Sequence, residues 1–69
     1  MKFSEKLIAL RKARKLSQPE VAKQIGNHWR TYQNYESGVS EPRLSTLIAL
    51  ADFYGISLDE LACREPQDR

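Results

Sequence analysis

Apolar positions in this chain recur every three to four residues, the spacing of a helix, and no stretch alternates as a strand would. Leu7, Ile8, Leu10 and Ala13 set the first repeat and predict helix 1 over residues 4–14. Ser17-Gln18-Pro19-Glu20 reads as a capping box, in which the serine hydroxyl and the glutamate carboxylate each accept from the other residue's backbone N–H. Proline in the first turn has no N–H to leave orphaned. Helix 2 therefore opens at Gln18, turns Val21, Ala22 and Ile25 inward, and stops at Gly26. Two turns are too few to stand alone, so packing must hold them. Helix 3 begins within Asn27-His28 and runs to Glu36 or Ser37, where Gly38 closes it. Pro42 disfavours helix at Glu41 and makes residues 39–42 a loop. Helix 4 covers residues 44–54, with Leu44, Leu47, Ile48, Leu50 and Ala51 on its inner side, and ends at Gly55. Ser57-Leu58-Asp59-Glu60 repeats the capping box and opens a short helix 5 with Leu58 and Leu61 inward. Residues 64–69 are polar, include Pro66, and read as a tail after a domain of residues 1–63. The expected fold class is all-α, a compact five-helix bundle.

Helix 2, a tight glycine turn and helix 3 form a helix-turn-helix, in which the second helix can project from the body of the domain. At roughly 100° per residue, Thr31, Tyr32 and Tyr35 share one face of helix 3, the packing face. Trp29, Arg30, Gln33, Asn34 and Ser37 cover an opposing, mostly polar arc. Those side chains suit base edges: arginine donates twice to guanine, and asparagine or glutamine pairs twice with adenine. An α-helix fits the major groove, where each base pair shows a distinct pattern of donors and acceptors.

Five blocks occur in order: Leu16-Ser17-Gln18-Pro19-Glu20-Val21-Ala22, then Gly26; Thr31-Tyr32 with Tyr35-Glu36 and Gly38; Pro42, Leu44 and Thr46-Leu47; and Ala51 with Tyr54-Gly55-Ile56-Ser57-Leu58-Asp59-Glu60-Leu61. Together they resemble the phage repressor/Cro (XRE-type) family of DNA-binding domains, a lambda-repressor-like fold, over about residues 5–62. The resemblance implies that helix 3 reads the major groove. It places Gln18 against the DNA backbone or a base edge, base-reading roles on Trp29, Arg30, Gln33 and Asn34, and phosphate contacts on Ser37 and the loop through Arg43. It also implies a structural pair between Glu36 and Arg11. Three residues depart from the pattern: Asn27-His28 stands where a capping Ser or Thr is usual, Trp29 is unusual at a base-reading position, and Arg43 replaces a capping Ser before helix 4.

Charge sharpens the picture. Residues 1–35 carry eight Lys/Arg against two acids, and residues 36–69 carry three Arg against seven acids, so a net +2 divides into a basic half and an acidic half. A basic half can face a polyanion while the acidic half turns away. A solvated helix end explains Lys12, Arg14 and Lys15 equally well. No apolar run approaches the ~18 residues of a membrane span. The helical pattern starts at the N-terminus and leaves no room for a signal peptide, and a lone Cys63 suggests a reducing, cytoplasmic home. One His and one Cys far apart assemble no metal site, Ser17 and Ser57 are explained as caps, and no nucleophile sits with a base. Neither a cofactor nor an enzymatic role is implied.

The expected function is a sequence-specific transcriptional regulator, a repressor in the first instance. It would bind double-stranded DNA at an inverted-repeat operator as a homodimer, through a C-terminal patch of Ile56, Leu58 and Leu61. The alternative is a protein-interaction module of the same fold, such as an antitoxin or accessory regulator, using the acidic half and the aromatics Trp29 and Phe53.

Overall fold

The structure is a computed structural model that describes residues 2–62; the 64–69 tail and Cys63 of the sequence reading lie outside the described residues. Five helices follow in order: α1 (Phe3–Ala13), α2 (Gln18–Gln24), α3 (Trp29–Ser37), α4 (Leu44–Tyr54) and α5 (Leu58–Leu61). Among the described residues there are no strands.

Each start has a chemical cause. Glu5 accepts from the Lys2 backbone N–H at 2.9 Å, so α1 begins one residue earlier than the pattern implied. The Ser17–Glu20 capping box forms in both directions, at 3.2 and 2.8 Å. Its donors, the Ser17 backbone N–H first and the hydroxyl second, hold the Glu20 carboxyl below its ordinary range. The second box forms only in part: the Ser57 hydroxyl accepts from the Glu60 N–H at 3.1 Å and opens α5, while the Glu60 carboxylate makes no return bond to the Ser57 N–H. The turn between α2 and α3 depends on Gly26, whose φ of +73° is a left-handed conformation that a Cβ would strain. There the chain reverses, and the Asn27 N–H bonds back to the Ala22 carbonyl at 2.9 Å.

Leu7 of α1, Val21 and Ala22 of α2, Tyr32 and Tyr35 of α3, Leu50, Ala51 and Tyr54 of α4, and Leu61 of α5 form the core. α1 packs on α3 and α5, α2 on α3, and α4 on α5. Three apolar residues expected inside are outside: Leu44 is 64% exposed, Ile48 43% and Leu58 40%. The inward stripe of α4 runs through Leu47, Leu50, Ala51 and Tyr54, an arc of roughly 100°. Ile48 lies roughly 60° past Ala51, and Leu44 is the first residue of α4. Leu58 is the first residue of α5 and turns outward while Leu61 turns in.

The basic end of α1 is not simply solvated. Arg14 donates to the Phe53 and Tyr54 carbonyls at 3.1 and 3.0 Å, capping the end of α4 from a distance. Its guanidinium also lies 5.5 Å from the Phe53 ring centre and 5.2 Å from that of Tyr54. Phe53, expected as an exposed aromatic, is accordingly half-buried against the core.

Leu50 is fully buried at the centre of α4. Leu50→Ala is expected to cost about 2–5 kcal/mol. Urea unfolding followed by circular dichroism measures it, and a loss below 1 kcal/mol would contradict this packing.

Candidate nucleic-acid interface

α3 is the element that matters, and its first turn is built by a histidine. His28 is the N-cap: its Nδ1 accepts from the Arg30 backbone N–H at 3.1 Å. Asn27, the other residue of the Asn27-His28 pair, instead sends Nδ2 toward the Tyr35 hydroxyl at 3.4 Å. Helix 3 therefore starts at Trp29. Since Nδ1 is an acceptor here, the ring hydrogen of neutral His28 sits on Nε2.

The buried face of α3 consists of Tyr32, Tyr35 and Glu36. Thr31, expected on that face, is exposed, and Glu36 takes its place. Glutamate goes inside because arginine meets it there. Arg11 Nε donates to Glu36 Oε2 at 2.7 Å and Arg11 Nη2 to Oε1 at 3.1 Å, a two-pronged pair in which the glutamate side chain is only 3% exposed. Arg11 Nη1 also donates to the Leu16 carbonyl at 2.9 Å, so the same guanidinium fixes the turn between α1 and α2. This is the pair that the family resemblance implied. Burial alone would push the Glu36 carboxyl up, but the hydrogen bonds and charge of Arg11, with the Gln18 amide, outweigh it and hold the group below the usual carboxylate range. The hydrogen bond to Glu36 in turn raises Arg11. Beneath the pair lie the Tyr32 and Tyr54 hydroxyls, buried without a hydrogen-bond partner of full geometry among the described residues, and burial pushes both phenols up.

The opposite arc of α3 is open. Trp29, Arg30, Asn34 and Ser37 are exposed, and Gln33 is half-buried at the margin. Trp29 is seven residues before Glu36, nearly on the same line of the helix, but on the first turn, and it is 37% exposed. The Arg30 guanidinium sits 6.0 Å from that ring, a loose cation–π contact. The Ser37 hydroxyl donates to the Asn34 carbonyl at 3.1 Å, so it must turn before it can donate elsewhere. Arg43 is exposed at the N-cap of α4 and makes no side-chain cap, so its guanidinium is not used in starting that helix. Gln18 differs from the rest. It is half-buried, and its Nε2 donates to Glu36 Oε1 at 3.0 Å.

Among the described residues no group of His, Cys, Asp or Glu could hold a metal ion, and no helix is long and apolar enough to cross a membrane.

This arrangement defines a helix-turn-helix domain with a projecting third helix. The helix-turn-helix family profile matches residues 7–61, and the chain belongs to that family. Over 59 residues it is 48% identical to the cryptic phage CTXphi transcriptional repressor RstR of Vibrio cholerae, covering 86% of this chain and 53% of that protein. A transcriptional regulator from Listeria innocua superposes with a TM-score of 0.90 at 31% identity, over 99% of this chain and 64% of its own. The SOS-response transcriptional repressor LexA from Eubacterium rectale gives 0.85 at 30% identity, over 97% of this chain and 71% of its own. The chain spans about half the length of several curated relatives it matches.

Because the folded-state pKa of Glu36 is depressed, its stabilisation is fully present above the ordinary glutamate value of 4.5 and is lost as pH falls through the lower folded value. Denaturation midpoints of the wild type are expected to fall more steeply below pH 4.5 than those of Glu36→Gln. Parallel curves for the two proteins would show that the carboxylate does not carry this linkage.

Proposed function

We propose that the domain binds a specific double-stranded DNA site with α3 in the major groove and represses transcription there. The observation that carries this reading is the contrast between the two sides of α3. One side is locked by Tyr32, Tyr35 and the Arg11–Glu36 pair, and the other presents Trp29, Arg30, Asn34 and Ser37 to solvent. A helix fixed on one side and open on the other reads base edges without reorganising. The naming of relatives as transcriptional repressors supports the same reading.

In this reading Arg30 and Asn34 contact bases, Gln33 and Trp29 border the contact, and Ser37 and Arg43 approach phosphates on either side of the α3–α4 loop. The protein acts in the cytoplasm as a homodimer on an inverted repeat whose half-sites lie about one helical turn, ~34 Å, apart. The dimer surface needs revision from the sequence reading, because Leu61 is fully buried within the protomer and is not available to a partner. Leu58 keeps that role, with half-buried Ile56 beside it in sequence.

Selection from a random duplex pool tests the reading. A palindrome is expected for the wild type, with affinity falling linearly on a log–log salt plot. Arg30→Ala with Asn34→Ala is expected to abolish site preference while the fold, followed by circular dichroism, persists. If no sequence is enriched, the fold serves a protein partner instead.

A further inference from the structure

Val39, Leu44, Ile48 and Leu58, the other large apolar side chains exposed among the described residues, all lie after α3, and Trp29 alone is on it. Trp29 belongs neither to the core nor to the partly buried apolar residues packed against it. The Arg30 guanidinium, 6.0 Å from the ring centre, is at the outer limit of a cation–π contact. The backbone at this point is fixed. The His28 cap holds the Arg30 N–H at 3.1 Å and makes Trp29 the first helical residue.

We infer that Trp29 is a specificity-determining residue: its indole packs on the C5-methyl group of one thymine in the major groove, so that the site contains a T·A pair read through an apolar contact. The inference rests on the DNA-binding reading above. In a helix-turn-helix the N-terminal residues of the recognition helix meet the base edges, and Trp29 opens α3. The polar groups on the major-groove edges are donors and acceptors, and the thymine methyl is the one apolar group among them. Arg30, Asn34 and Ser37, also exposed on this arc, offer hydrogen bonds. Trp29 offers a broad apolar ring with a lone N–H. Against a phosphate or a polar edge, most of that ring loses water with no return. Against a methyl group, both surfaces leave water together, which is favourable. Cytosine at the same place has no methyl and presents an amino group instead.

The test uses the full chain and the duplex it selects from a random pool. Each thymine of that duplex is replaced in turn by deoxyuridine, which removes the methyl and leaves the hydrogen-bonding edge intact. At one thymine of each half-site the wild type is expected to lose affinity roughly 3- to 5-fold, the contribution of one buried methyl, with the salt slope unchanged. Trp29→Ala is expected to bind both duplexes equally while its circular dichroism matches the wild type. Trp29→Phe, which keeps an aromatic face without the N–H, is expected to keep the discrimination. The chain has one tryptophan, so fluorescence reports the contact directly: acrylamide quenching is expected to fall when the duplex is added. A wild type indifferent to deoxyuridine at every thymine overturns the inference, and so does unaltered quenching. A Trp29→Ala protein that still distinguishes the two duplexes overturns it as well. Should Trp29→Phe lose the discrimination as Trp29→Ala does, the indole N–H makes the contact and the inference fails. If Trp29→Ala does not fold, Trp29→Gln carries the same expectation. A wild type that enriches no sequence defeats the DNA-binding reading itself, whereas an enriched site with no sensitive thymine defeats this inference alone.

Discussion

The Glu36 carboxylate lies almost wholly out of water and takes two hydrogen bonds from Arg11 and one from Gln18. Through them it joins α3 to α1 and to the start of α2, and the third bond of Arg11, to the Leu16 carbonyl, extends the connection to the intervening turn. Removing one partner of a buried pair strands a charge, at about 3–5 kcal/mol. A single domain of this size commands about 3–5 kcal/mol in all. Replacing a whole buried pair by apolar groups is often neutral, however, so such a pair is a poor source of net stability. Its value here is directional. Apolar packing of Tyr32 and Tyr35 fixes which side of α3 is inward but tolerates small rotations, whereas a two-pronged guanidinium–carboxylate pair does not.

That constraint explains how a helix of nine residues can expose one side so fully. An isolated helix of this length and composition is unstable in water. α3 is held by a histidine cap at its start, by the core along its inner side, and by Arg11 near its end. The outer arc contributes nothing to any of these, and its side chains are therefore free to be chosen for a partner. Gln33 is the exception, half-buried at the margin of the arc.

Arg14 and Arg11 illustrate how one basic run divides its work. Both are on or beside the last turn of α1, yet Arg11 serves α3 while Arg14 caps α4 and covers Phe53 and Tyr54. Part of the basic half of the chain is thus spent on internal structure, which leaves Lys12, Lys15, Lys23 and Arg30 among its exposed cations. The acidic half likewise loses Glu36 to the interior. The charge division read along the chain is consequently weaker on the surface than in the sequence.

Local chemistry sufficed for the elements. The two serine caps, Pro19, Gly26, Gly38 and Gly55 punctuate the chain through bonds made within five or six residues, so helix number and order were legible and limits nearly so. The division of α3 into inner and outer arcs followed from its period, apart from Thr31 and Glu36. Single residues at the margins were not legible. Leu44, Ile48 and Leu58 satisfy the apolar period but stay exposed, and Phe53 is half-buried against the core with Arg14, thirty-nine residues away in sequence, lying over its ring. The orientation of Gln18 was hidden for the same reason: residue type states what a side chain can bond, but which bond it makes depends on what the fold brings within 3 Å.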